Sequence, residues 1–228
     1  MPSVVCIGGT AEFPAASPWV TSVGATFVTQ TNPRAGNKAG RGESAISLPG
    51  GMLWTTGGGF SSTAPRPWYQ EEAVAKYLAG VPASEMPTPG TWNSSARAYP
   101  DVSAIGHNLM CVAGGYVNPV DGTRAATPIF AGILTRLNQA RISRGLPAVG
   151  FANPLLYKAA VAAPESFYDI VGPANNHCGY LTCCPKGFGY EVTPGYDAVT
   201  GLGSLGSYQV LENFAVSSAV ASPGHKLL

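Results

Sequence analysis

From Thr123 onward the apolar positions Ile129, Ile133, Leu134 and Leu137 recur at helical spacing, which predicts a long helix beginning near Thr123. Pro128 falls in its first turn, where the ring is tolerated, and Gly145 ends it. A second helix is predicted from Gln70 on the spacing of Ala73, Val74, Tyr77 and Leu78, with Glu71 and Glu72 in a first turn whose macrodipole favours them. Elsewhere the pattern is that of strands. Residues 13–29 carry a β-branched and aromatic run (Val20, Val23, Phe27, Val28) after a Pro-containing turn, and residues 110–117 (MCVAGGYV) form another. Tyr99-Pro100-Asp101-Val102 leads into an extended segment, while residues 31–52 and 80–95 are Gly- and Pro-rich loops. A strand feeding a turn and then a long apolar helix is α/β architecture, with the helix start facing the carboxyl edge of a sheet, where catalytic groups gather.

Composition narrows this. The charged fraction is 11%, against an average of about 25% in soluble domains, and Gly and Pro stay below the range of about 25–30% that marks disorder. The chain is therefore expected to be folded, loop-rich and weakly charged at its surface. A net charge of +1 over 228 residues gives no field for a polyanion, and the loose cluster Arg34, Lys38 and Arg41 has no interleaved aromatics, so nucleic-acid binding is not expected. No run reaches the roughly 18 apolar residues of a membrane span. The N-terminal MPSVVCIGGTAEFP lacks the basic and apolar regions of a signal peptide. Two features nevertheless suit a secreted or lysosomal protein: the sequon Asn93-Ser94-Ser95 and the cluster Cys178, Cys183, Cys184. A disulfide from Cys178 to Cys183 or Cys184 is the reading favoured, because no second Cys/His pair stands at a spacing that would complete a zinc site.

Several catalytic patterns are absent or spurious. Gly201, Gly203 and Gly206 spell G-x-G-x-x-G without a preceding strand or a surrounding βαβ unit. There is no G-x-S-x-G elbow, and His107, His177 and His225 are far apart, none beside a nucleophile pattern. Read in order, however, SPWVTSVGAT, GGGFS, PRPWYQEEAV, RAYPDV, DGTRAATPIFAGIL, GFANPLLY, FYDI and TPGYDAVTGLGS resemble successive blocks of the sedolisins, the serine-carboxyl peptidases, and within them the tripeptidyl peptidase I branch. The blocks run over residues 13–214, so that residues 1–228 read as the C-terminal part of one such peptidase domain.

The resemblance implies a subtilisin-like fold, a parallel sheet flanked by helices and incomplete on its N-terminal side. It also implies a Ser-Glu-Asp apparatus working in acid, a second Asp at the oxyanion hole, and a calcium site. Glu suits acid because a carboxyl group can be tuned to titrate where His is already charged, and a protonated Asp can donate to the developing oxyanion. Carried over by position, Asp101 takes the oxyanion-hole place; by itself it reads as a loop Asp capping a turn. Gly57, Gly58, Gly59, Phe60 and Ser61 match a segment beside the substrate cleft. Asp169 and Asp197 match calcium-ligating carboxylates, and Ile170, Thr193 and Gly195 carbonyl ligands, a hard-oxygen set suited to calcium; spacing alone makes the two aspartates ordinary solvated loop residues.

The departures shape the functional expectation. Arg124 stands where the family has its nucleophilic Ser, and a guanidinium has no nucleophilic lone pair at accessible pH. The Glu and Asp of the triad belong to a helix upstream of the block where this sequence begins. Three functions follow: a sedolisin homologue that does not hydrolyse, a calcium-stabilised module holding a peptide or protein in the former cleft, or a peptidase completed by another chain such as the missing N-terminal half. Arg124 is expected to pair with Asp101, filling the oxyanion site. A sheet lacking strands is expected to leave apolar surface uncovered.

Overall fold

The structure is a computed structural model describing residues 13–28, 42–177 and 188–217. Its central element is a three-stranded sheet in the order β2 (Glu43–Ala45), β1 (Val23–Val28) and β5 (Val102–Ile105). β1 and β5 run parallel, Val23 opposite Val102 and Thr26 opposite Ile105, and β2 joins β1 antiparallel. β3 (Gly59–Pro65) and β4 (Ala96–Tyr99) form a separate antiparallel pair, followed and preceded respectively by the helix α1 (Glu71–Gly80) between them. β6 (Leu109–Ala113) and β7 (Tyr116–Val120) pair as a hairpin before the long helix α2 (Thr123–Ile142). α3 (Asn153–Ala162), the short strands β8 (Phe167–Tyr168) and β9 (Ser204–Leu205), and α4 (Tyr208–Ser217) complete the order.

Small residues set how closely α2 lies on the sheet. Ala25 on β1, Ala104 on β5 and Ala126 on α2 are buried together, with Val23 and Phe27 packed around them. The buried side of α2 begins with Ala125, Ala126 and Phe130, and Ile129 stays partly exposed, so the stripe is shifted by one residue from the one its sequence predicts. Toward its end Leu137 packs against Leu155 and Ala159 of α3 and Leu211 and Ala215 of α4. Arg141, fully buried there, donates to the carbonyls of Pro147 and Ala215, the latter in the last turn of α4, where a cation suits the helix dipole.

Two expectations change. Residues 13–20 are turns, and the strand begins only at Val23. The run 110–117 is a hairpin rather than one strand, because Gly114 and Gly115, at φ 60° and 82°, form a two-residue turn with Ala113 opposite Tyr116. A turn with both central residues at positive φ carries the twist that joins antiparallel strands, and Gly-Gly supplies it. The hairpin leaves Met110, Val112, Tyr116 and Val117 exposed, together with the free thiol of Cys111.

The closing G-x-G motif has a structural reason. Gly203, at φ +90°, lies so close to the Tyr168 carbonyl that an added Cβ would overlap it. Its own carbonyl accepts the Ser103 N–H at 2.8 Å, tying this loop to β5. Gly203→Ala is therefore expected to destabilise by about 4 kcal/mol or more, at the top of the single-substitution range. Gly132→Ala, on the exposed side of α2 with nothing within 4 Å of the new Cβ, should instead stabilise by about 0.5–1 kcal/mol. Urea unfolding of the two variants checks the contrast.

Candidate functional site

The carboxyl end of β5 delivers the start of α2. Gly106 N–H donates to Thr26 O at 2.9 Å, and Gly122 N–H donates to Gly106 O at 2.8 Å, which holds the residue before the helix against the strand end. Arg124, two residues further, is exposed, and its side chain passes back over Gly122: a Cβ placed at Gly122 would lie 3.1 Å from Arg124 Cγ and 3.3 Å from Nε. Among the described residues Arg124 makes no ion pair. The neighbouring hydroxyl of Thr127 donates to the Thr123 carbonyl at 2.9 Å and is held within the helix. At the base of the hairpin His107 Nδ1 lies 2.8 Å from Asp121 Oδ1, which also accepts the Asn108 N–H at 2.6 Å.

Asp101 lies at the other end of the strand. It immediately precedes β5, and Gly106 follows the strand's end, so the five intervening steps at about 3.3 Å each separate the two by roughly 16 Å. The expected Arg124–Asp101 ion pair is therefore not formed. Asp101 is taken instead by Arg97, four residues earlier: Arg97 Nη1 donates to Oδ1 at 2.8 Å and Nη2 to Oδ2 at 2.6 Å, with both side chains wholly buried. The Ser22 N–H donates to Oδ2 at 2.8 Å and the Tyr157 hydroxyl to Oδ1 at 3.0 Å. Burial pushes the Asp101 carboxyl up from its ordinary range, and the Arg97 guanidinium opposes that shift. A carboxyl whose two oxygens already accept four hydrogen bonds, at the amino end of its strand, is not placed to donate to an oxyanion at Arg124's end of the sheet. The i,i+4 spacing within RAYPD is the sequence signal for Arg97 as Asp101's partner, whereas Tyr157, in the GFANPLLY block, carries no such signal.

The Gly57–Ser61 segment also runs toward the amino end. Gly58 is pressed against the Ala198 carbonyl and Pro100, and Phe60 pairs with Ala98 across β3 and β4. Gly58, Gly59, Phe60 and Ser61 line a cleft of about 300 Å³ with Trp92, Tyr99 and Tyr190, whereas Gly57 is not in its wall. These residues thus form a cleft of their own rather than one shared with Arg124.

The two expected calcium loops do meet. Asp169 Oδ2 accepts the Gly195 N–H at 2.8 Å, joining the segment after β8 to the turn before Asp197. Asp197 is fully buried; it accepts the N–H groups of Val199 and Thr200 at 2.9 and 2.7 Å and that of Thr193 at 3.3 Å. Burial pushes its carboxyl up to about 7, against the pull of those N–H groups, and no Lys or Arg among the described residues pairs with it. Asp169, at the rim, is raised by partial burial and lowered by Gly195 N–H. The same segments, with α1 and α3, wall a cleft of about 710 Å³. Cys178, Cys183 and Cys184 lie outside the described residues, as does any pairing among them.

No protein-family model matches the chain. Individual proteins do. It is 41% identical over 206 residues to physarolisin of Physarum polycephalum, covering 84% of this chain and 35% of that one. It is 40% identical over 195 residues to tripeptidyl-peptidase 1 of Bos taurus, covering 85% and 31%. A Pseudomonas sedolisin, described as a serine-carboxyl proteinase complexed with pseudo-iodotyrostatin, superposes with a TM-score of 0.64 at 29% identity over 90% of this chain and 48% of that one. The chain thus belongs to the sedolisin family, has its α/β, subtilisin-like fold, and corresponds to the C-terminal part of its members. It spans about a third of the length of the curated relatives it matches.

Proposed function

We propose that this chain is a tripeptidyl-peptidase-like sedolisin homologue that holds peptides at the carboxyl edge of its sheet without cleaving them. The observation that carries this reading is Arg124, exposed in the first turn of α2 at the end of β5, where the family resemblance places the nucleophile. In a family member with Ser at that position the same frame would serve release of N-terminal tripeptides in acid. With Arg it offers an exposed cation in the first turn of α2, a setting that suits carboxylate-bearing peptides. The exposed sequon at Asn93 and the family resemblance support a secretory or lysosomal location; no described helix is long and apolar enough to cross a membrane. Fluorescence anisotropy with a labelled, unblocked peptide tests the reading. Saturable binding weakened by Arg124→Glu, with the peptide recovered intact, is expected, and recovery of cleaved peptide overturns it.

Calcium is the ion we assign to the second site. Asp169 and Asp197 would ligate through carboxylates and Ile170, Thr193 and Gly195 through carbonyls, all hard oxygens. The buried carboxyl of Asp197, which no Lys or Arg among the described residues faces, supports the assignment, because a buried carboxylate without a positive partner is expensive. Bound there, the ion would neutralise that charge and fasten the two loops. At free calcium 100-fold above its dissociation constant, chelation is expected to remove about 2.7 kcal/mol of stability. Thermal melts with and without chelator check this. Asp169→Asn, at the rim with one hydrogen bond to lose, should abolish the difference, and equal melting of the unaltered chain in both conditions overturns the site.

A further inference from the structure

The hairpin β6–β7 projects from the chain, with every residue from Met110 to Pro119 exposed. Its turn fixes which backbone groups face outward. Ala113 and Tyr116 flank the two-residue Gly114-Gly115 turn and bond to each other, so the hydrogen-bonded pairs are Ala113–Tyr116, Cys111–Asn118 and Leu109–Val120. Met110–Pro119 and Val112–Val117 are the non-bonded pairs between them, whose N–H and carbonyl groups point away from the hairpin. The two outer edges therefore differ. On β7 one outward position is Pro119, which has no N–H to offer. On β6 Met110 and Val112 each turn out an N–H and a carbonyl, and no described residue bonds to them. Edge strands are ordinarily guarded by charge or proline, yet no Lys, Arg, Asp or Glu lies between Leu109 and Val120, and β6 holds no proline. A two-stranded ribbon is marginal in water by itself, and further strands stabilise it.

We propose that β6 pairs with β6 of a second copy of this chain, antiparallel about a two-fold axis at Cys111, which joins the two hairpins into one four-stranded sheet. The strand is complementary to itself. With the axis at Cys111, Met110 stands opposite Val112 of the second copy, and their outward groups bond in both directions. No charge on either strand opposes the approach. The two Cys111 residues then form the non-bonded pair at the centre, with Cα atoms about 4.5 Å apart, inside the range of about 4.4–6.8 Å that a disulfide spans. Five residues from each strand fall well short of the roughly 20–30 a side of a standard interface, so the pairing is weak and concentration-dependent. Sedimentation velocity of the full chain under reducing conditions should show monomer passing into dimer as concentration rises. Val112→Pro removes one outward donor from each copy and should weaken the dimer about tenfold. Met110→Lys leaves the hairpin's own bonds in place, sets two like charges on the diagonal across the axis, and should also weaken it. Oxidation by oxygen with copper phenanthroline should then trap a dimer whose peptide map joins Cys111 to Cys111, a link that Cys111→Ser removes. A chain that stays monomeric at every concentration, or a dimer that neither edge substitution weakens, overturns the pairing. A dimer without the Cys111 link overturns the axis at that residue.

Discussion

Arg97→Ala and Asp101→Ala are each expected to destabilise the chain by about 3–5 kcal/mol, because each leaves its partner as a buried charge without compensation. Both side chains are at 0% exposure in the intact pair, so the charge that remains is left deep in the protein. Arg97 also donates to the carbonyls of Ala98 and, at 3.2 Å, Ser17, so its removal strands acceptors as well as Asp101. Asp101 anchors the chain on three sides, through Arg97 before β5, the Ser22 N–H before β1 and Tyr157 on α3. The pair therefore sets how the amino ends of the two parallel strands meet α3. The double variant should be less costly than the sum of the two, by a coupling of about 0.5–3 kcal/mol. For contrast, the exposed pair Arg66–Glu71 should contribute only about 0–1 kcal/mol. Denaturant titrations of the four proteins decide it; additive losses at Arg97 and Asp101 would mean that the two charges are separately solvated.

The helices were legible because an apolar period of 3.6 survives on one face. α1 begins at Glu71 and α2 at Thr123, close to where the acidic first turn and the Thr123 boundary put them. The one-residue shift on α2, from Ile129 to Phe130 and Ala126, escaped because Ile129 and Phe130 are adjacent and both apolar, so the period alone does not choose between them, and the small Ala126 on which the approach of helix to sheet depends carries only a weak apolar signal. The hairpin escaped because MCVAGGYV alternates too little to show where it folds. At the candidate site each motif was readable but their grouping was not. Asp101 and Arg124 stand 23 positions apart in the sequence on either side of β5 and a hairpin. Only the parallel pairing of β5 with β1 shows that one residue precedes the strand while the other follows its end. Asp169 and Asp197, separated by a longer stretch, were grouped by resemblance, and the Asp169–Gly195 hydrogen bond shows their loops adjacent.

The purified chain is expected to release no tripeptide from unblocked peptides at any pH between about 3 and 8, a span that brackets ordinary carboxyl and imidazole values. Loss of a serine nucleophile costs on the order of 10⁶ in turnover, and a guanidinium at position 124 supplies no replacement. The adjacent hydroxyl of Thr127 is bound to the Thr123 carbonyl, so it is not free to attack. Arg124→Ser alone is also expected to remain inactive. A serine at the start of α2 needs a base to take its proton. Asp121, two residues before Thr123, is held by His107 Nδ1 and the Asn108 N–H at the hairpin base, and Asp101 lies at the far end of β5, bound to Arg97. Tripeptide release is measured for both proteins against an unfolded control. Release by Arg124→Ser alone would show that a base is already in reach and that Arg124 is the only obstacle to hydrolysis. Release by the unaltered chain would place the nucleophile elsewhere and overturn the reading of position 124.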